Sequence, residues 1–196
     1  MNARAGRIGP NAITRVAEVL LPRLGQGGTA GIFERAGLLE YLAHPPESMV
    51  EEVEVSRLHR ALRAAVGEAS AREVAFEAGT RTGDYLLAHR IPKAVQAVLS
   101  HLPAALASRV LLTAIRRHAW TFAGSGEFTA RAGQPVRLTI RHNPLCVGVE
   151  SGEPSCAFYT ATFERLFRVL VHPDARVRER QCESMGAPAC VFEVAW

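Results

Sequence analysis

Four cysteines, Cys146, Cys156, Cys182 and Cys190, all fall within the last 51 of 196 residues. Disulfides are disfavoured in a chain that shows no secretion signal, so grouped thiols point to metal binding or redox work. Beside them residues 176–181 alternate, and a strand there puts Arg176, Arg178 and Arg180 on one side and Val177 with Glu179 on the other. Cys190, Phe192, Val194 and Trp196 share one face of a final strand, Cys182 and Cys190 flank the loop between the two strands, and Cys156 opens a helix packed over them. Three thiolates and the Glu179 carboxylate supply four donors, enough for a tetrahedral zinc shell, and a shell without an open position is structural. Glu179 and Cys182 lie three apart, which a regular strand places on opposite faces, so the strand must bend or end near Gln181. Cys146 is left over as a partly buried free thiol, or replaces Glu179 if the register keeps the carboxylate away. The spacing contains no CxxC pair. On spacing alone, four small buried hydrophobes with inert thiols is the simpler reading.

The elements that position these residues follow from periodicity. Asn11 caps a helix whose Ile13, Val16, Ala17, Leu20, Leu21 and Leu24 share a face, closed by Pro22 and the Gly25-Gln26-Gly27-Gly28 run. After an apolar stretch ending at His44-Pro45-Pro46, two helices are expected over 56–66 and 70–90, separated by Gly67, the second with Ser70 and Glu73 as a capping box. Gly79 and Gly83, four apart in that helix, each cost about 1 kcal/mol of propensity unless something packs closely there. Close helix packing is the expectation. A short helix covers 93–102, and Pro103 opens a longer one with Leu111, Ile115, His118 and Phe122 on one stripe, stopped at Gly124. The period then switches to two: residues 128–132 and 136–141 form a hairpin, a helix follows Cys156, and strands at 176–181 and 190–196 close the chain. This is an α+β fold, helices packed on an antiparallel sheet. It divides into an N-terminal helical extension, 1–55, and a ligand-binding domain, 56–196.

Composition narrows the function classes. With 48% hydrophobic and 21% charged residues the chain suits one globular domain, not a disordered segment. No apolar run reaches the ~20 residues a bilayer-spanning helix needs. Residues 1–7 lack the apolar core of a leader peptide, and the protein is expected to be cytoplasmic. Lys93 is the only lysine among 23 basic residues, and arginine favours bidentate contact with carboxylate or phosphate. No nucleic-acid motif accompanies this excess. Aspartate occurs only at 84 and 174, which gives no support to an acid–base dyad, and no Gly-x-Gly-x-x-Gly follows a strand.

The run Glu179-x-x-Cys182-x-x-x-Gly186-x-x-x-Cys190-x-Phe192, with Asn143-Pro144, Cys156-x-Phe158 and the earlier Gly79-x-x-x-Gly83-Asp84-Tyr85-Leu86, resembles the 4-vinyl-reductase-type domain. That domain also serves as the ligand-binding module of phenol-responsive transcription activators and is related in fold to vesicle transport-particle subunits. The motifs cover residues 70–196. As one domain with a short helical extension, the chain is similar to a family of bacteriochlorophyll-biosynthesis proteins of purple photosynthetic bacteria. The resemblance implies a structural zinc on Cys156, Glu179, Cys182 and Cys190, a helix-mediated homodimer, and a pocket between helices and sheet. For that pocket Phe76, Tyr85, His89, His118 and Trp120 are the candidate walls.

The function so implied is that of a tetrapyrrole-binding carrier or chaperone of bacteriochlorophyll biosynthesis. It would handle a vinyl-bearing magnesium porphyrin or protochlorophyllide intermediate, with another enzyme of the pigment pathway as partner and a location peripheral to the photosynthetic membrane. The alternative is the 4-vinyl reductase itself, converting divinyl to monovinyl (proto)chlorophyllide. That chemistry needs a hydride or electron donor, for which the sequence offers no recognisable holder. The arginines at 137, 141, 176, 178 and 180 are expected on one basic sheet face.

Overall fold

The computed structural model describes residues 6–196; residues 1–5, most of the segment read as lacking a leader core, lie outside them. In chain order the elements are β1 (Arg7–Ile8), α1 (Asn11–Arg35), α2 (Glu40–Ala43), β2 (Val50–Glu51), α3 (Glu52–His89), α4 (Lys93–His101), α5 (Ala104–Arg117) and α6 (Trp120–Ala123). Then follow β3 (Glu127–Arg131), β4 (Val136–Arg141), α7 (Ala157–Leu170), β5 (Arg176–Gln181) and β6 (Cys190–Ala195), with single 3-10 turns at Pro144–Cys146 and Glu183–Met185. Strands β3, β4, β6 and β5 form one antiparallel sheet in that order, and β1 pairs with β2 separately. Helices packed on an antiparallel sheet are the architecture expected from the change of period.

The sheet alternates as its sequence does. Val136, Leu138 and Ile140 of β4 and Cys190, Phe192 and Val194 of β6 are buried, and they meet Phe163, Leu166, Phe167 and Leu170 on one side of α7. The opposite side of α7 meets α3, where the two glycines find their reason. A Cβ on Gly79 would stand 2.2 Å from the Phe158 carbonyl oxygen, and one on Gly83 would stand 2.7 Å from Arg165 Cβ. No side chain fits between the two backbones. The Thr162 hydroxyl donates across the crossing to the Gly79 carbonyl at 3.0 Å.

Several helix boundaries differ from the sequence expectation. Asn11 is the first helical residue and Pro10 occupies the cap. The first helix breaks at the glycine run as expected, at Gly25, whose φ of 66° is left-handed, but a second helical stretch restarts at once and runs to Arg35. The Thr29 hydroxyl donates to the Gly25 carbonyl at 2.8 Å across that break. Gly67 (φ 77°) breaks α3 as expected, but the helix restarts at once, so Ser70 lies inside it. The capping box sits at Glu51 and Glu54 instead, where the Glu51 N–H donates to the Glu54 carboxylate at 3.2 Å. α5 ends at Arg117, so Leu111 and Ile115 are buried while His118 turns outward. Tertiary packing overrides the local pattern at each of these ends.

Candidate metal centre

The four cysteines converge from four places. Cys146 ends the 3-10 turn after β4, Cys156 stands at the N-terminus of α7, Cys182 follows β5, and Cys190 opens β6. All four are free and buried, and their sulfurs form one group. From Cys146 the sulfur–sulfur distances are 3.3 Å to Cys156, 3.7 Å to Cys182 and 3.5 Å to Cys190. The remaining three are 3.8 Å, 3.6 Å and 3.9 Å. Four thiolates around zinc at ~2.3 Å lie ~3.8 Å apart along every edge of a regular tetrahedron. The six distances cluster around that edge length.

A strand irregularity explains how residues three apart reach one site. Glu179 is opposite Phe192 and Gln181 is opposite Val191, so Arg180 is an extra residue in β5. This β-bulge shifts the alternation by one. Glu179 therefore shares the inward side with Cys182, as the expected bend near Gln181 required.

The Cys146 loop is held from β5's far end. One Glu183 oxygen accepts from the His142 N–H at 2.7 Å and the other from the Asn143 N–H at 2.8 Å. This clamp spans His142, whose φ of 53° is left-handed. The Asn143 side chain then acts twice: its Oδ1 accepts from the Leu145 N–H at 3.0 Å, and its amide N–H donates to Cys156 Sγ at 3.2 Å. The Asn143-Pro144 pair is thus part of the centre. Further donors reach the sulfurs from the Ser155 N–H to Cys182 at 3.5 Å and from the Glu183 N–H to Cys190 at 3.4 Å. The Ser184 hydroxyl lies 3.0 Å from Cys182 Sγ and accepts from Ser155 at 2.8 Å.

These contacts set where charge collects. Hydrogen bonds from Cys146, Cys156 and Cys190 pull the Cys182 thiol far below its ordinary range, whereas burial pushes the Cys156 thiol well up. Four thiolate charges so close together in a buried group repel one another. A divalent ion is the group that lets all four sulfurs ionise together.

Glu179 lies beside this tetrahedron. Its Oε2 accepts from the Cys156 N–H at 2.9 Å, at the positive end of α7, and its Oε1 is buried without a partner. Burial pushes the Glu179 carboxyl up to about 9, with Cys182 adding to the rise. The structure thus gathers Cys156, Cys182 and Cys190 from the expected zinc set, and Cys146 completes the sulfur group that Glu179 borders.

The five candidate pigment residues are dispersed. The Tyr85 and His89 rings lie 4.8 Å apart, with the Arg15 guanidinium 4.9 Å and that of Arg90 5.9 Å from the Tyr85 ring centre. Phe76 is exposed on α3, and His118 and Trp120 are exposed on either side of the break between α5 and α6. On the outer sheet face Arg137, Arg141, Arg176, Arg178 and Arg180 are all exposed. Glu193 accepts from Arg137 and Arg180 at 2.9 Å each.

Comparison with known proteins places this geometry. The model of the V4R domain matches residues 136–195, a span that holds all four cysteines. The bacteriochlorophyll synthase 23 kDa chain of Cereibacter sphaeroides is 46% identical over 192 residues, covering 98% of this chain and 92% of that protein. The chain belongs to the bacteriochlorophyll synthase 23 kDa chain family. The same-named protein of Rhodobacter capsulatus is 41% identical over 187 residues, 95% of this chain and 85% of that protein. Among solved structures, the fold matches the phenol-responsive sensory domain of the transcription activator PoxR, bound to phenol, with a TM-score of 0.53 at 14% identity over 74% of each chain. It also matches an unliganded Fe(II) H-NOX protein mutant from K. algicida, with a TM-score of 0.61 at 11% identity over 96% of each chain. These two share the fold with the V4R-containing chain.

Proposed function

We propose that this protein acts in bacteriochlorophyll biosynthesis as a tetrapyrrole-binding carrier that receives and hands over a vinyl-bearing magnesium porphyrin or protochlorophyllide intermediate. The observation that carries this reading is the 46% identity to a bacteriochlorophyll synthase chain over nearly the whole length. It works in the cytoplasm at the periphery of the photosynthetic membrane, beside another enzyme of the pathway, as a homodimer joined through helices such as α1, where Leu21 and Leu24 are exposed. The four sulfurs hold one zinc ion, which ties the Cys146 loop, the start of α7 and the β5–β6 connection into a single unit. A four-sulfur shell is closed, which supports a structural part for the ion. Of the candidate pigment residues, Tyr85 and His89 on α3, whose rings lie 4.8 Å apart, meet the pigment.

Titration of the purified protein with divinyl and monovinyl pigment, with and without NADPH, tests the reading. Absorbance should shift on mixing, and the recovered pigment should keep its vinyl group. Conversion of divinyl to monovinyl pigment at a rate proportional to protein would replace the carrier with the 4-vinyl reductase.

A further inference from the structure

Residues 85–126 contain no aspartate or glutamate, although 19 acidic residues in 196 would place about four in a stretch of that length. Arg90, Lys93, Arg109, Arg116 and Arg117 give it a charge of +5, so the rest of the chain, at +4 overall, sums to −1. The basic excess of the whole protein thus resides in the α4–α5–α6 segment.

The same segment exposes large apolar side chains. Val98 is 61% exposed, Leu106 48%, Val110 49% and Trp120 61%. On α5 the core side is already satisfied by Ala107, Leu111, Leu112 and Ile115. Leu106 and Val110, four apart, form a second apolar stripe that continues to Arg117 seven residues on. On α4 Leu99 faces the core while Val98 faces water. An outward apolar stripe edged by basic residues, with tryptophan at its end, is the composition that seats a helix in a lipid headgroup layer. Among the described residues no helix is long and apolar enough to cross a membrane.

We infer that α4, α5 and α6 form a docking face for an anionic lipid bilayer, with Val98, Leu106, Val110 and Trp120 entering the headgroup region while Lys93, Arg109 and Arg117 meet lipid phosphates. The outer sheet face is equally rich in arginine, but none of the exposed large apolar residues lies on it. Charge together with apolar reach distinguishes the helical face, and this argument is independent of the pigment reading.

Pigment-free vesicles of phosphatidylcholine, with or without phosphatidylglycerol, provide the test by flotation of the full chain. Trp196→Phe leaves Trp120 as the sole tryptophan probe. Binding should require the anionic lipid, weaken as salt rises, and shift Trp120 emission to the blue. Arg109→Gln with Arg117→Gln should lower partitioning about 25-fold, at roughly fivefold per basic residue. Val98→Ser with Leu106→Ser should lower it about tenfold or more. Both pairs are exposed, so melting temperature and bound metal should match the parent protein. Absence of flotation with anionic vesicles, equal binding to neutral ones, or unchanged binding of both variants overturns the proposal. So does light scattering in which the serine variant dissociates a dimer, which would assign the face to a second copy of the chain.

Discussion

Replacing Cys146 by alanine and, separately, Glu179 by glutamine distinguishes two ways of completing the metal centre. The six sulfur–sulfur distances average about 3.6 Å; divided by the tetrahedral edge-to-radius ratio of about 1.63, they put a central ion about 2.2 Å from each sulfur, against ~2.3 Å for zinc thiolate. X-ray absorption on protein purified without chelator should therefore show four sulfurs near ~2.3 Å. Cys146→Ala should leave three sulfurs and one lighter atom and weaken metal binding by more than ~100-fold, the upper range for loss of a merely supporting group. A hundredfold loss corresponds to about 2.7 kcal/mol of folding stability, or a fall in melting temperature of roughly 5–10 °C for a chain of this size. Glu179→Gln should retain four sulfurs and stoichiometric metal. A wild-type spectrum of three sulfurs and one oxygen, lost with Glu179→Gln and unchanged with Cys146→Ala, would refute the four-sulfur centre. Protein containing no stoichiometric metal would refute any centre.

Two further outcomes follow from the helices. His59 is buried, its Nε2–H donates to the Ala12 carbonyl at 3.2 Å, and burial, with Arg63 beside it, lowers its pKa to about 3. The unfolded chain takes up this proton near pH 6.5 and the folded one only near 3, so this contribution to stability is complete above pH 6.5 and lost as pH falls, about 2 kcal/mol between pH 7 and pH 5. Denaturant titrations at the two pH values should show that loss in the parent protein and less of it in His59→Gln; equal losses would disprove the assignment. Light scattering at micromolar concentration should give twice the single-chain mass of 21.3 kDa, falling to that mass with Leu21→Glu and Leu24→Glu, whereas a parent protein already at the single-chain mass would exclude the dimer.

Much of this fold is legible in the sequence because local periodicity encodes it. The alternation of residues 136–141 and 176–181, the break at Gly67 and the close packing at Gly79 and Gly83 each need only neighbours in the chain or the absence of a side chain. Three of the four clustered thiols were identifiable in the same way, as residues at the ends of strands and at a helix start. The restart of α1 beyond Gly25 and the position of the α3 cap were not, because a kinked helix is held by what it packs against. The fourth donor was expected to be Glu179, with Cys146 in its place only if the strand register kept the carboxylate away. Thirty-two residues lie between Cys146 and Glu179, and no local rule states which of them reaches the other three thiols. That choice belongs to long-range contacts: the bulge at Arg180 that turns Glu179 and Cys182 to the same side, and the Glu183 carboxylate that holds His142 and Asn143 so that Cys146 points inward. The sequence by itself put thiols at strand and helix ends, and only its family resemblance implied that they meet. Only the packing of two loops against one helix end decided which four sulfurs stand close enough together to hold a metal ion.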